Sequence, residues 1–315
     1  MRYEKYLTMT EAQKSIIKET RNRAEFFQSV HAWPLNDNLN YLGWLKNFKT
    51  DEELKLACLI VDFFIYYPDK MVNQMLETSI GYAGQHLVKI LKDWKHEDFF
   101  NRCYYSFIPG ETNNPSDSGR VFLRKLRDTL SIPESRFLEY NDIPQQLSME
   151  NRQTPIILVD DFVGSGAQCD KAWNRNKFSF NNKTLREIEE TENHIFVYAP
   201  LVVNIMGLNR IKHNCPSLIL TPAHVLGNEY NLFHKDCFCW KSDDALFRAG
   251  TDLILNKSKE LGIPFLNGED PQDVRGFGEQ GLAIAFEHGA PDAIPSLFYW
   301  QHKNWTPLIN KSYAH

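Results

Sequence analysis

The residues best equipped for chemistry stand in one run, Ile156 to Gln168, IILVDDFVGSGAQ. Four apolar residues lead into two adjacent carboxylates, Asp160 and Asp161. Phe162 and Val163 follow, and then Gly164, Ser165, Gly166 and Ala167 open onto a segment with helical character. An apolar strand ending this way is a rigid platform, and ligands of open α/β sheets bind outside the carboxyl ends of their strands. Small residues let the backbone come close to a phosphate, and the amides of a loop feeding a helix N-terminus supply donors along a favourable dipole. Carboxylates at the rim of such a loop can accept hydrogen bonds from sugar hydroxyls or hold magnesium through water. The bland alternative is a strand end whose acids cap the next helix. Glycine, serine and glycine in register behind the acidic pair favour the anion cradle.

Other candidates stand apart from this run. Arg275, in DVRGFGEQG, sits in a glycine-bearing turn that either carries a guanidinium to a phosphate or is a plain surface turn. Glu287 and His288 follow the apolar run LAIAF and could supply a base, or simply end a strand. His234, Cys237 and Cys239 are soft-ligand types, but their spacing is no standard zinc knuckle, and cysteines at period two on a strand act as small apolar residues. No residue is assigned as a direct metal ligand.

The acidic pair with its small-residue loop resembles the phosphoribosyl-pyrophosphate signature of type I phosphoribosyltransferases, in which a hydrophobic strand runs into two acids and a phosphate loop. The resemblance implies that Asp160 and Asp161 contact ribose 2′- and 3′-hydroxyls. It further implies that Val163, Gly164, Ser165, Gly166, Ala167 and Gln168 enclose the 5′-phosphate, and that Mg2+ accompanies a diphosphate ligand. A pyrophosphate-binding loop follows the first core strand in that fold, the place taken here by Phe107 to Gly119. Gly110, Ser118, Gly119 and Arg120 are its candidates, because the charge of Glu111 would repel a diphosphate.

Two features depart from the pattern. The loop ends in Gln168 where threonine is usual. The interval Asn141 to Thr154, which in many active members carries a long mobile basic loop, has Arg152 as its one basic residue. Arg120, Arg124 and Lys125 of the neighbouring helix could substitute for the missing cation. The wider layout, with a helical N-terminal extension, one signature and the C-terminal run GLAIAFEHGAPDAIPSLFYW, resembles a divergent phosphoribosyltransferase-like family of prokaryotic conflict systems that includes retron-associated members. It implies an effector or accessory enzyme of antiphage defence, acting by pentosyl transfer or N-glycosidic hydrolysis on a phosphoribosyl or nucleotide ligand, with a protein or ribonucleoprotein partner. The alternative is a non-catalytic nucleotide-sensing or adaptor module that uses its helices and aromatic tail as an interface.

Elements able to position the signature follow from patterning. The first 95 residues read as helical. Thr10 with Gln13 and Thr50 with Glu53 have capping-box spacing, and Leu54, Ala57, Cys58, Val61 and Ile65 make one apolar face up to Pro68. Another helix follows from about Asp69 to Trp94. Beyond Arg102, the strand-like runs CYYSFIP, RFLEY, TPIILVD, HIFVYAPLVV and SLILT alternate with helices at Ser118 to Leu130, after Ser165, and at Asp243 to Leu261 with Ser242 as N-cap. The expectation is an α/β fold with a type I phosphoribosyltransferase-like parallel sheet core over residues 96–315, including C-terminal additions, behind a helical domain over residues 1–95.

Composition sets the outer bounds. A chain of 315 residues with 43% hydrophobic and 24% charged residues is too long for a stapled miniprotein and too apolar for disorder. A net charge of -5 argues against nonspecific nucleic-acid binding as the main activity. LACLIVDFFIYY is too short to span a membrane and contains Asp62. The charged N-terminal run lacks a signal core, so a cytoplasmic location without membrane contact is expected, with six cysteines as reduced thiols.

Overall fold

Runs such as IILV and FVYAPLVV cannot leave one face to water, so they belong in strands covered on both sides. In the computed structural model, which describes residues 9–35, 38–110 and 118–311, they are the two inner strands of a parallel sheet. The strands among the described residues are β1 (Ile65–Tyr67), β2 (Tyr104–Phe107), β3 (Pro155–Val163), β4 (Ile195–Asn204), β5 (Ile219–Leu220), β6 (His224–Leu226) and β7 (Ile284–Phe286). The main sheet has the order β2-β3-β4-β5. β6 also pairs with β4, further along than β5, and every pairing is parallel.

Helix Ser118–Leu130 packs on β2 and β3, burying Phe122 and Leu126 completely. Ile156 and Leu158 of β3, with Phe196 and Tyr198 of β4, instead join a core that takes Ala172 and Trp173 from helix Ala167–Asn174 and Ile188 from helix Leu185–Glu192. Alternation along each strand thus supplies two apolar faces, one for each helix layer.

Contacts divide the chain into residues 70–226, which hold the main sheet, and a discontinuous unit of residues 1–69 and 227–315. This division differs from a boundary near residue 95, and β1 gives the reason. Helix Asp51–Phe63 ends before Ile65, and Ile65, Tyr66 and Tyr67 pair in register with Ile284, Ala285 and Phe286 of β7. The N-terminal helices therefore share a core with the C-terminal segment. Trp44 and Phe48 meet Trp305 edge to face, and Phe298 and Tyr299 are buried, so these aromatic residues of the tail belong to the interior.

Other local expectations shift for identifiable reasons. Thr10 and Gln13 form a capping box, and Thr50 caps the Glu53 N–H. The Glu53 carboxylate does more than close a cap. It accepts from the Lys49 N–H and pairs at 2.8 Å with the mostly buried Lys257 of helix Asp244–Glu260. That helix is capped by Asp243, which accepts from the Ala245 and Leu246 N–H groups, while Ser242 sits at φ 58 in the left-handed region. RFLEY forms no strand. Phe137 makes a single parallel bridge to Tyr105, and Glu139 turns outward to Arg120 at 2.8 Å. Two apolar residues between charges sustain no more than that. Cys237 and Cys239 flank the exposed Phe238 at a 3-10 turn rather than lying on a strand, and all six cysteines are free and buried. Among the described residues, no helix is long and apolar enough to cross a membrane.

Gly119 lets helix Ser118–Leu130 seat on β2, because an added Cβ would lie 2.5 Å from the Phe107 Cβ. Overpacking costs about 1–3 kcal/mol, while alanine returns at most about 1 kcal/mol of helix propensity. Gly119→Ala is therefore expected to lower the urea unfolding midpoint. An unchanged or raised midpoint would contradict this seating.

Candidate functional site

β3 continues past its apolar residues through Asp160 and Asp161 to Val163, still paired with Val203 of β4. The chain then turns through Gly164, Ser165 and Gly166 into helix Ala167–Asn174. Gly166 lies at φ 71, a region that strains residues bearing a Cβ. A Cβ there would also stand 3.0 Å from the Gly207 carbonyl oxygen, and a Cβ on Gly207 would stand 2.6 Å from that of Gly164. The loop thus rests main chain to main chain on helix Ile205–Asn214. Asn204 caps that helix by accepting the Met206 N–H at 2.9 Å. Val163 is buried beside the contact and contributes its side chain to the core.

Among the described residues, no acceptor takes the N–H of Gly164, Ser165 or Gly166. The Ala167 N–H reaches Ser165 Oγ at 3.3 Å. Unclaimed donors at a helix start, in a loop held from behind by glycine, are equipped to receive an anion. Gln168 has a different task. Its amide donates to the Ile108 and Pro109 carbonyls at 3.2 and 2.8 Å, tethering the first helical turn to the segment leaving β2.

The two acids differ sharply. Successive residues of a strand face opposite ways, and Asp160 turns inward with 7% exposure. Its Oδ2 accepts the buried Tyr198 hydroxyl at 2.6 Å and its Oδ1 accepts the Asp161 N–H at 2.9 Å. Burial above all, then the charge of Asp161, raises the Asp160 carboxyl well above the usual carboxylate range. Burial and Asp160 likewise push the Tyr198 phenol up. Asp161 is half-buried and is the more accessible carboxylate. Asp160 therefore holds the main chain of its neighbour rather than facing outward itself.

The remaining candidates are placed as follows. Gly110 borders a cavity beside Gln168. Residues 111–117 of the pyrophosphate-loop candidate lie outside the described residues, as does the Ser118 side chain. Gly119 is accounted for by packing on Phe107, and Arg120 pairs with Glu139 while its guanidinium lies over the Phe107 ring. Arg275, Glu287 and His288 belong to the other unit. Arg275 pairs with Glu279 at 3.2 Å and lies over the Phe233 and Phe265 rings. Glu287 accepts the Asp69 N–H at 2.7 Å, capping helix Asp69–Ile90, and the His288 ring lies 5.1 Å from that of Phe286. Sequence patterning missed Tyr198 and Gly207. The traces they left were a hydroxyl-bearing aromatic in an aliphatic strand and a glycine near a helix start.

A family model, PRTase-CE, matches residues 41–311, a span that contains all seven strands and the whole loop. The chain belongs to the PRTase-CE family. The parallel sheet is consistent with a phosphoribosyltransferase-like core, and the family match supports a phosphoribosyltransferase-like function at that level of description. No curated protein matches the chain.

The Asp160 environment gives the PRTase-CE protein a pH signature. With the folded pKa raised, the native state holds the proton more tightly than the unfolded chain. Stability conferred by that proton is complete below the ordinary value of 3.8 and drains away as pH rises through the folded pKa. Asp160→Asn keeps an acceptor for Tyr198 without a buried charge. Its stability relative to wild type should rise between pH 4 and pH 8 in denaturant titrations, and a pH-independent difference would show that Asp160 carries no buried-carboxylate penalty.

Proposed function

We propose that this PRTase-CE protein binds phosphoribosyl diphosphate or a related nucleotide at the turn from β3 into helix Ala167–Asn174 and catalyses substitution at C1 of the ribose. The observation that carries the proposal is the set of unclaimed Gly164, Ser165 and Gly166 amides beside Asp161, inside the span matched by the family. These amides, with the dipole of the following helix, hold the 5′-phosphate. Asp161 accepts the ribose hydroxyls and fixes the sugar over the strand end. Asp160, held by Tyr198, grips the Asp161 N–H and keeps the second carboxylate in place. Positive charge developing at the anomeric carbon is favoured by the nearby carboxylate.

Among the described residues, no three His, Cys, Asp or Glu side chains lie together as metal ligands. Magnesium would enter with the ligand's own diphosphate, Asp161 is the carboxylate that would hold it through water, and the ion would neutralise the leaving group. The acceptor is a nucleophile of the nucleotide pathway or water. Resemblance to conflict-system proteins supports a role as effector or accessory enzyme in cytoplasmic antiphage defence, with a protein or ribonucleoprotein partner.

One observation favours a second reading, a sensor that binds without turnover. The interval Asn141 to Thr154 contains helix Ile143–Ser148, whose Ile143, Pro144 and Leu147 are buried in the core. A segment anchored this way is poorly suited to close as a basic lid over a diphosphate.

Calorimetry with phosphoribosyl diphosphate and magnesium tests the binding step. Wild type should bind saturably, and Asp161→Asn should weaken binding at least about tenfold, the scale of a lost hydrogen bond to a charged group, at an unchanged melting temperature. Absence of wild-type binding would end the proposal. Pyrophosphate release by the bound protein then separates enzyme from sensor.

A further inference from the structure

A cavity of about 510 Å³ runs along helix Ala167–Asn174; it reaches Ala167 and Gln168 at the helix start, but neither Asp160, Asp161 nor any of Gly164, Ser165 and Gly166 lines it. Lys171, Arg175 and Lys177 line it, together with Gly110, Asn176 and Phe178, and among the described residues no carboxylate does. In a chain of net charge -5 that concentration of cations runs against the overall balance. Charges of one sign around a concavity focus their field into it.

The cations are also available. Lys171 and Arg175 are exposed and make no ion pair among the described residues. Arg175 stands at the rim and also borders a groove containing Glu187 and Glu190, while Lys177 lies within electrostatic reach of Glu187. Lys171, four residues before Arg175 on the same helical face, has no acid among the residues lining its cavity. The walls are held in place. Gln168 is tethered to Pro109, and the Tyr140 hydroxyl at the base donates to the Ala172 carbonyl at 3.1 Å. The volume falls within the range of small-molecule sites, about 300–1,000 Å³, and exceeds what one phosphate fills.

We propose that this cavity is a second anion site, distinct from the loop at Gly164 to Gly166, and that it takes a ligand carrying several linked phosphates. Arg175 supplies a planar fork and the lysines point charges, a combination suited to consecutive phosphate groups. Such a ligand is either a nucleoside polyphosphate or inorganic polyphosphate. The proposal does not depend on the phosphoribosyl reading of the loop.

The test is titration of the full chain with ATP and with inorganic tripolyphosphate, without phosphoribosyl diphosphate. Wild type should bind at least one of them saturably, and more weakly as salt rises. Tighter binding of ATP than of tripolyphosphate assigns the site to nucleotides, and the reverse assigns it to inorganic polyphosphate. Lys171→Ala with Arg175→Ala should weaken the preferred ligand at least about tenfold, whereas Asp161→Asn should leave its affinity within about twofold. Lys177→Ala provides a second, milder variant, and matched melting temperatures confirm folding of each. Saturable binding that survives the double variant, or no wild-type binding of either probe, overturns the proposal. Loss through Asp161→Asn alone would assign the phosphates to the loop and also overturn it. Failure of phosphoribosyl diphosphate to bind, with tripolyphosphate binding intact, would count against the loop reading only.

Discussion

The whole strand end depends on one contact without side chains, the approach of the Gly164 to Gly166 turn to Gly207. Two helices begin almost at the same place, one after Gly166 and one after Asn204, and their first turns meet carbonyl to glycine. A methyl group on either partner would have to displace main chain, which lacks the freedom of a flexible side-chain tip. The turn is therefore supported from one side by atoms that cannot withdraw, and it leaves its amides unspent. Donors that give up no internal partner on meeting an anion are preorganised for it.

The same strand settles how twin acids divide their labour. In an extended chain, neighbours look in opposite directions, so a pair of adjacent carboxylates at the end of a buried strand cannot be equivalent. One must enter the core, and there it needs donors; Tyr198 and the next main-chain N–H provide them. A buried carboxyl that is hydrogen-bonded on both oxygens orders the backbone that carries its exposed neighbour. The acidic dipeptide thus sets one buried, hydrogen-bonded carboxyl behind a more accessible one.

Much of this was legible in the residues. The inner strands announced themselves because IILV and FVYAPLVV have no polar face, and the tight turn after β3 because glycine, serine and glycine occur where a strand gives way to a helix. Helix Ser118–Leu130 lay where its amphipathic spacing put it. RFLEY was misjudged because two apolar residues look alike in an edge bridge and in a strand. Glu53 and Glu287 were ambiguous because a carboxylate near a helix start can cap, pair or catalyse, and only its neighbours in space decide. Tyr198 and Gly207 acquire their roles from residues far away in the chain, and no local pattern encodes such partners. The β1 and β7 pairing was hidden for the same reason, since three residues after a helix carry almost no signal of where their mate lies.

That last pairing also has a consequence for biosynthesis. Residues 70–226 are one uninterrupted stretch, so every strand of the main sheet has its neighbours as soon as Leu226 has left the ribosome. The helices ahead of them must wait. β1 meets its mate only when Phe286 emerges, and Trp44 and Phe48 stay uncovered until Trp305 does. These helices, made before the sheet, are thus enclosed after it, and until then their apolar surface is a part of the nascent chain in need of a chaperone.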